Sequence, residues 1–218
     1  MFRPDLEWIA MPKAEFNYYA LHYLNLWVSK DRRWCEALAG TDDSEKLAAL
    51  ARAAAFYRIA RNLPTDYDVG KGLQRYEPVL KIIDALNPTD FQDERLVPSI
   101  KKVRKKISAK YGHRDVLSLT TKFLWLKMKS PIIIYDSRAR RALRAAAGDI
   151  QEYYWRWQRE FTRREQEVRQ ACTSLQKVHE YTENPEIATR QYIAKTAAQP
   201  WFRERVFDVY LWHLGMDA

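Results

Sequence analysis

The chain has 218 residues, 47% of them apolar, and a formal net charge of +9. A core can be buried at that size and apolar content, which excludes a disordered polyelectrolyte, and no apolar run approaches the roughly 20 residues that span a bilayer. Cys35 and Cys172 stand far apart without CxxC spacing, and His22, His113, His179 and His213 are scattered, so we expect free thiols in a reducing cytoplasm, no metal and no membrane partner.

Glycine is scarce and strand-like alternation nearly absent, so the chain reads as all-α. The opening MFRPDLEWIAMPKAEF lacks the unbroken apolar stretch of a secretory signal, and its extended lead-in ends at Met11–Pro12. Helical periodicity runs through AEFNYYALHYLNLWVSKDRRWCEALAG, with Phe16, Tyr19, Tyr23, Leu26 and Trp27 on one face and Gly40 as its stop. Asp43–Ser44 caps a second helix, SEKLAALARAAAFYRIARNL, closed by Pro64. TDYDVGKG is a loop, and LQRYEPVLKIIDAL a helix ended by Asn87–Pro88. Beyond Pro98, SIKKVRKKISAKYG has a narrow stripe of Ile100, Val103 and Ile107 on an otherwise basic helix.

Gly112 breaks the chain, and Asp115 can cap DVLSLTTKFLWLKMK, a mostly buried helix ended by Pro131. IIIY, four apolar residues, is too short for a helix and reads as a buried extended connector. Asp136–Ser137 opens SRARRALRAAAG, which Gly148 closes. A long helix follows over about residues 149–181, then one near 186–198, and Pro200 starts a final helix through WFRERVFDVYLWHLG. These helices form a single domain over 1–218, with room for a division into two lobes, about 1–99 and 100–218.

Charge distinguishes those two parts. Residues 1–99 hold 13 Lys/Arg against 15 Asp/Glu, and residues 100–218 hold 24 against 13. From Lys101 to Arg144 there are 14 bases and two acids, Asp115 and Asp136, a density that attracts polyanions. Nucleic acid is the expected partner, held by Lys101, Lys102, Arg104, Lys105, Lys106, Lys110, His113, Arg114, Arg138, Arg140 and Arg141. A solvated basic face is the plainer alternative.

Two residues in this segment suit chemistry. Lys122 lies on the apolar helix with Ser118 one turn before it. A desolvated lysine among cations has a lowered pKa and becomes a nucleophile at neutral pH, whereas a snorkelling lysine only rests its stem on the core. Asp136 is a helix cap that arginines keep ionised, a fixed negative charge suited to stabilising a developing cation. Aromatics are plentiful, with eight tryptophans. Tyr135, Trp155, Trp157 and Trp212 are candidates to wall a base pocket, against the alternative that they fill helix–helix gaps. Walker-type, GxSxG, HExxH and dinucleotide motifs are absent, and the GKG of Gly70–Gly72 is too short to cradle phosphates, so no cofactor is expected.

The stretch TTKFLWLKMKSPIIIYDSRARRAL, Thr120 to Leu143, resembles the Lys-to-Asp segment of helix-hairpin-helix DNA glycosylases, nearest to bacterial proteins of the 8-oxoguanine-glycosylase-like fold. The shared pattern is Thr121–Lys122, Pro131, Ile132–Ile134, Tyr135–Asp136–Ser137 and Ala142–Leu143. RERVFDVYLWHLG resembles that family's closing helix through Arg205, Asp208, Leu211, Trp212 and Gly215. The resemblance implies an all-helical fold with a cleft between two lobes, and base excision in which Lys122 attacks the sugar C1′ while Asp136 stabilises the cationic transition state. The target base is flipped from the stack. It also implies a link to bacterial antiviral defence, with partner proteins of such a system and phage nucleic acid or a modified nucleotide among the substrates. The chain departs from the family in KYGHRDVLSLT, where a glycine-bearing hairpin is reduced to Gly112, and in a Lys-to-Asp interval shorter by about one helical turn. Two further readings stay open: a nucleic-acid-binding protein without catalysis, and a helical defence-accessory protein.

Overall fold

The computed structural model describes residues 15–60 and 69–216, and every regular element within them is helical. The lead-in ending at Met11–Pro12, Pro64 and the TDYD of the expected loop lie outside the described residues.

The first expected helix is one path with a widened turn. Glu15–Leu26 (α1) passes through a π-helical turn, Trp27–Asp31, into Arg32–Ala39 (α2). Such turns recur where a helix must re-aim side chains, and Asp31 in this one is fully buried. In Asp43–Phe56 (α3) the cap is Asp42, whose carboxylate accepts from the Ser44 and Glu45 amides at 2.7 and 3.2 Å. α3 ends at Phe56, short of the expected Leu63. Arg58 takes a φ of 54°, and the Arg58 and Ile59 amides fold back onto the Ala55 and Ala54 carbonyls.

A 3₁₀ segment, Val69–Tyr76, replaces the start of the next expected helix and leads into Glu77–Asp84 (α4). Leu96–Lys110 (α5) begins before Pro98, which its first turn accommodates, and buries the predicted stripe of Ile100, Val103 and Ile107. Leu117–Met128 (α6) follows, its first amide capped by Asp115 at 3.0 Å. Ser137–Ala142 (α7) stops before Gly148, because Arg144 at a φ of 53° turns the chain early. Ile150–Ser174 (α8) runs into a 3₁₀ segment, Leu175–Tyr181, and Arg190–Ala197 (α9) and Pro200–Leu214 (α10) complete the chain.

Packing joins the two ends of the chain. α1 lies against α10 and α8, α10 also covers α7, and α2, α4 and α5 all pack on α6. α6 is therefore enclosed: Phe123, Leu124, Trp125 and Leu126 are buried, each worth roughly 1.5–3 kcal/mol as apolar side chains removed from water. Burial on every side also explains why this helix lacks a polar face.

The IIIY connector is buried and non-helical, so its backbone needs partners. Tyr154 Oη accepts from the Ile133 amide at 2.7 Å and donates to the Ile133 carbonyl at 3.1 Å. Tyr153 donates to the Ile134 carbonyl at 2.8 Å. The Tyr135 amide donates to Thr121 Oγ1 at 3.0 Å, which joins the connector to α6 beside Lys122. The tyrosine pair on α8 thus supplies the hydrogen bonds a neighbouring strand would.

Candidate active site

α6 and α7 meet at the connector, and their geometry sets Lys122 against Asp136. Lys122 is only 4% exposed, and its Nζ donates to Ser118 Oγ at 2.9 Å and to Asp136 Oδ2 at 3.1 Å. The other carboxylate oxygen of Asp136 accepts from the Arg138 amide at 2.9 Å, so the predicted cap and the lysine contact use different oxygens of one side chain. Burial holds the Lys122 amine below the ordinary lysine range, and the nearby Asp136 charge offsets only part of that shift. Burial alone would raise Asp136, but the Lys122 charge and the Arg138 amide outweigh it and hold the carboxyl below its ordinary value.

Both groups open onto one cleft of about 530 Å³. α7 and α10 contribute Arg138, Arg205, Asp208 and Trp212 to its lining, and the N-terminal part of the chain contributes His22, Leu26, Phe56, Tyr57 and Arg58. Phe56, Tyr57 and Arg58 stand where α3 stops early and Arg58 takes its positive φ.

Arg205, Asp208 and Tyr57 of this lining belong to a second, largely buried set of charges and hydrogen bonds. Arg205 donates to Asp208 Oδ2 at 3.0 Å and lies 3.9 Å from Asp31, with the faces of Tyr23 and Trp125 at 5.1 and 4.9 Å. Tyr57 donates to Asp31 at 2.6 Å, and Trp157 Nε1 donates to Asp208 Oδ1 at 2.7 Å. Burial pushes the Asp208 carboxyl up to about 6, although Arg205 and Trp157 pull against it. Asp31 is raised by the same desolvation. Paired and hydrogen-bonded in this way, buried charges fix orientation more than they add stability.

Of the expected pocket aromatics, only Trp212 lines the cleft. Trp157 is buried beneath it, held by Asp208 and stacked on Phe161 at 4.8 Å. Tyr135 is buried, packs on Tyr153 and accepts from the Gly148 amide at 2.9 Å. Trp155 faces outward on α8 under the Arg159 guanidinium.

Among the expected basic residues, Arg138 alone lines the cleft, lying over the Trp212 ring at 4.3 Å. Arg140 and Arg141 are engaged by the Ala145 and Gly215 carbonyls at 2.8 and 2.7 Å. Lys101, Lys102, Lys105, Lys106 and Lys110 are exposed along α5, away from the cleft lining, and Arg104 pairs with Asp115 at 2.9 Å. His113 and Arg114 are exposed in the turn before α6.

No family model, curated protein or solved structure matches the chain. Among the described residues no group of three or more His, Cys, Asp or Glu is placed to hold a metal ion. None of their helices is long and apolar enough to cross a membrane.

His22, Phe56, Tyr57 and Asp31 are site residues that the sequence reading missed. The last three had no local signal, since alanine-rich and mixed-charge helices reveal nothing about which distant helix they face. Arg205 and Asp208 were signalled only by the resemblance of RERVFDVYLWHLG to a glycosylase closing helix.

Proposed function

We propose that this chain is a nucleic-acid base-excision glycosylase in which Lys122 is the nucleophile and Asp136 stabilises the cation that develops on the sugar. The observation that carries the reading is a desolvated lysine amine 3.1 Å from an ionised, capped aspartate, both opening onto one cleft. That cleft, at about 530 Å³, is within the range of small-molecule sites and suits an extruded nucleoside.

The chemistry follows from the two protonation states. As the glycosidic bond lengthens, its electron pair moves to the base and positive charge grows at C1′, where ionised Asp136 stabilises it. The deprotonated fraction of Lys122 bonds to C1′ as the bond to the base breaks, and the proton the nitrogen sheds passes through Asp136 to the departing base. The C1′–O4′ bond then breaks as the nitrogen's second proton passes to O4′, which leaves an imine and a free sugar hydroxyl, the species from which strand scission proceeds. A lowered lysine pKa raises the fraction of amine ready to attack at neutral pH.

DNA is the proposed partner, and the buried free thiols of Cys35 and Cys172 suit the reducing cytoplasm. Resemblance to proteins found beside antiviral systems puts phage-type modified bases next to oxidised ones as substrates to try, and partner proteins of such a system among those to seek. The test is base release from oligonucleotides carrying one modified base each. Release by the wild type and its loss in Lys122→Gln and Asp136→Asn support the reading; equal release by wild type and Lys122→Gln rejects it.

A further inference from the structure

A line of aromatic rings leads out of the cleft along the seam between α1 and α10. Tyr18 and His22 are four residues apart on α1 and so share one face. Their ring centroids are 6.0 Å apart with only 33° between the planes. Trp212 and His213 are consecutive on α10, and His213 links the run by edge-on contacts, 5.1 Å from Trp212, 5.7 Å from His22 and 6.0 Å from Tyr18. His22 and Trp212 belong to the cleft wall, and Tyr18 continues the shelf beyond it.

This shelf is open to water. Tyr18 is 56% and Trp212 38% exposed. Another exposed ring, Trp155, sits apart from the cleft. Isolated exposed aromatics are ordinary; a contiguous run that begins at a site wall is not. Two cations line the same cleft, Arg138, which lies over one face of Trp212, and Arg58.

We propose that the substrate strand is unpaired on at least one side of the nucleotide in the cleft, with flanking bases stacked on the Tyr18–His22–Trp212 shelf and Arg138 and Arg58 meeting their phosphates. This rests on the nucleic-acid reading above and names the substrate class. Every base has a face to stack, so such a shelf tolerates any sequence, but a base inside a duplex already spends its faces on its neighbours. An unpaired strand also avoids most of the unstacking needed to bring a base out of a helix. The exposed α5 lysines, which would track a duplex backbone, do not line the cleft.

The test is equilibrium binding of dye-labelled oligothymidylate and of an unmodified duplex of equal length, at one fixed salt concentration. The single strand binds more tightly, and Tyr18→Ala weakens it roughly tenfold while changing duplex affinity less than twofold. Tyr18→Phe keeps the ring and restores single-strand affinity, which separates stacking from misfolding. Equal loss on both nucleic acids, no loss on either, or a duplex bound as tightly as the single strand overturns the proposal. No unmodified oligonucleotide is turned over here. Excision from duplex DNA that depends on Lys122 but is indifferent to Tyr18→Ala would leave the glycosylase reading standing and end this one.

Discussion

The Lys122 amine and the Asp136 carboxylate are 3.1 Å apart across the junction of two helices, and a second hydrogen bond on each side fixes them there. Ser118 holds the lysine from one turn earlier on its own helix, and the Arg138 amide holds the aspartate. The pair is therefore positioned by local structure on both partners, and its desolvation has a cost in stability that packing elsewhere offsets.

That cost predicts the sign of a substitution. Lys122→Met replaces a buried amine with an apolar side chain of similar length. Asp136 keeps its cap but loses the opposing charge that offsets its burial, so a largely desolvated carboxylate is left with one partner fewer. The variant is less stable than wild type by about 1–3 kcal/mol, several degrees at this chain length, and adding Asp136→Asn recovers part of the loss. Thermal denaturation checks both, and a single variant as stable as wild type would contradict the coupling.

Asp136 combines two functions that substitution can separate. Asp136→Asn retains an oxygen for the Arg138 amide, so it keeps the cap and loses the charge; Asp136→Ala loses both. Base release falls by roughly a hundredfold or more in each, while the alanine variant is less stable than the asparagine variant by about 1 kcal/mol. Chemical denaturation beside the release assay distinguishes the two effects.

Asp208 supplies a pH marker in the cleft lining. Its carboxyl is raised from an ordinary 3.8 to about 6, so its share of stability is fully present below 3.8 and is lost as pH rises through about 6. Asp136, held below its ordinary value, acts in the opposite sense: its share is present above 3.8 and is lost as pH falls through its lowered folded value. The Trp157 indole N–H, bonded to Asp208, reports the titration directly. Its NMR resonance shifts with a midpoint near 6, and the Asp208 carboxyl carbon in Trp157→Phe titrates higher, because a hydrogen bond to the charged form is gone.

Gly215, the residue that ends α10, lies against the backbone of α7. A Cβ there would overlap the backbone carbonyl of Arg138, two residues after Asp136. Gly215→Ala destabilises the fold by about 1–3 kcal/mol through this overlap and displaces the start of α7. Reduced base release at temperatures where the variant is still folded checks the displacement.

Part of this site was legible in the sequence. Periodicity put Lys122 on a mostly buried helix, with the direction of its amine left open, Pro131 and the four-residue IIIY run marked a buried connector, and Asp136–Ser137 announced a cap, all of which depend on neighbours within a few residues. The lining from the N-terminal part of the chain was not legible. His22, Phe56, Tyr57 and Arg58 reach the cleft because the first helix packs on the last and because Arg58 adopts a left-handed turn without a glycine to advertise it. Arg144 shortened α7 in the same unadvertised way. Trp157, a candidate for the pocket wall, takes the alternative of filling a gap between helices, its indole turned inward to a buried aspartate.

Borohydride trapping examines the nucleophile most directly. Reduction during incubation with an abasic or modified-base oligonucleotide is predicted to fix a covalent complex whose tryptic mass map carries the sugar on Lys122, with none formed by Lys122→Gln. A complex that persists in Lys122→Gln, or one mapped to another amine, would contradict the assignment.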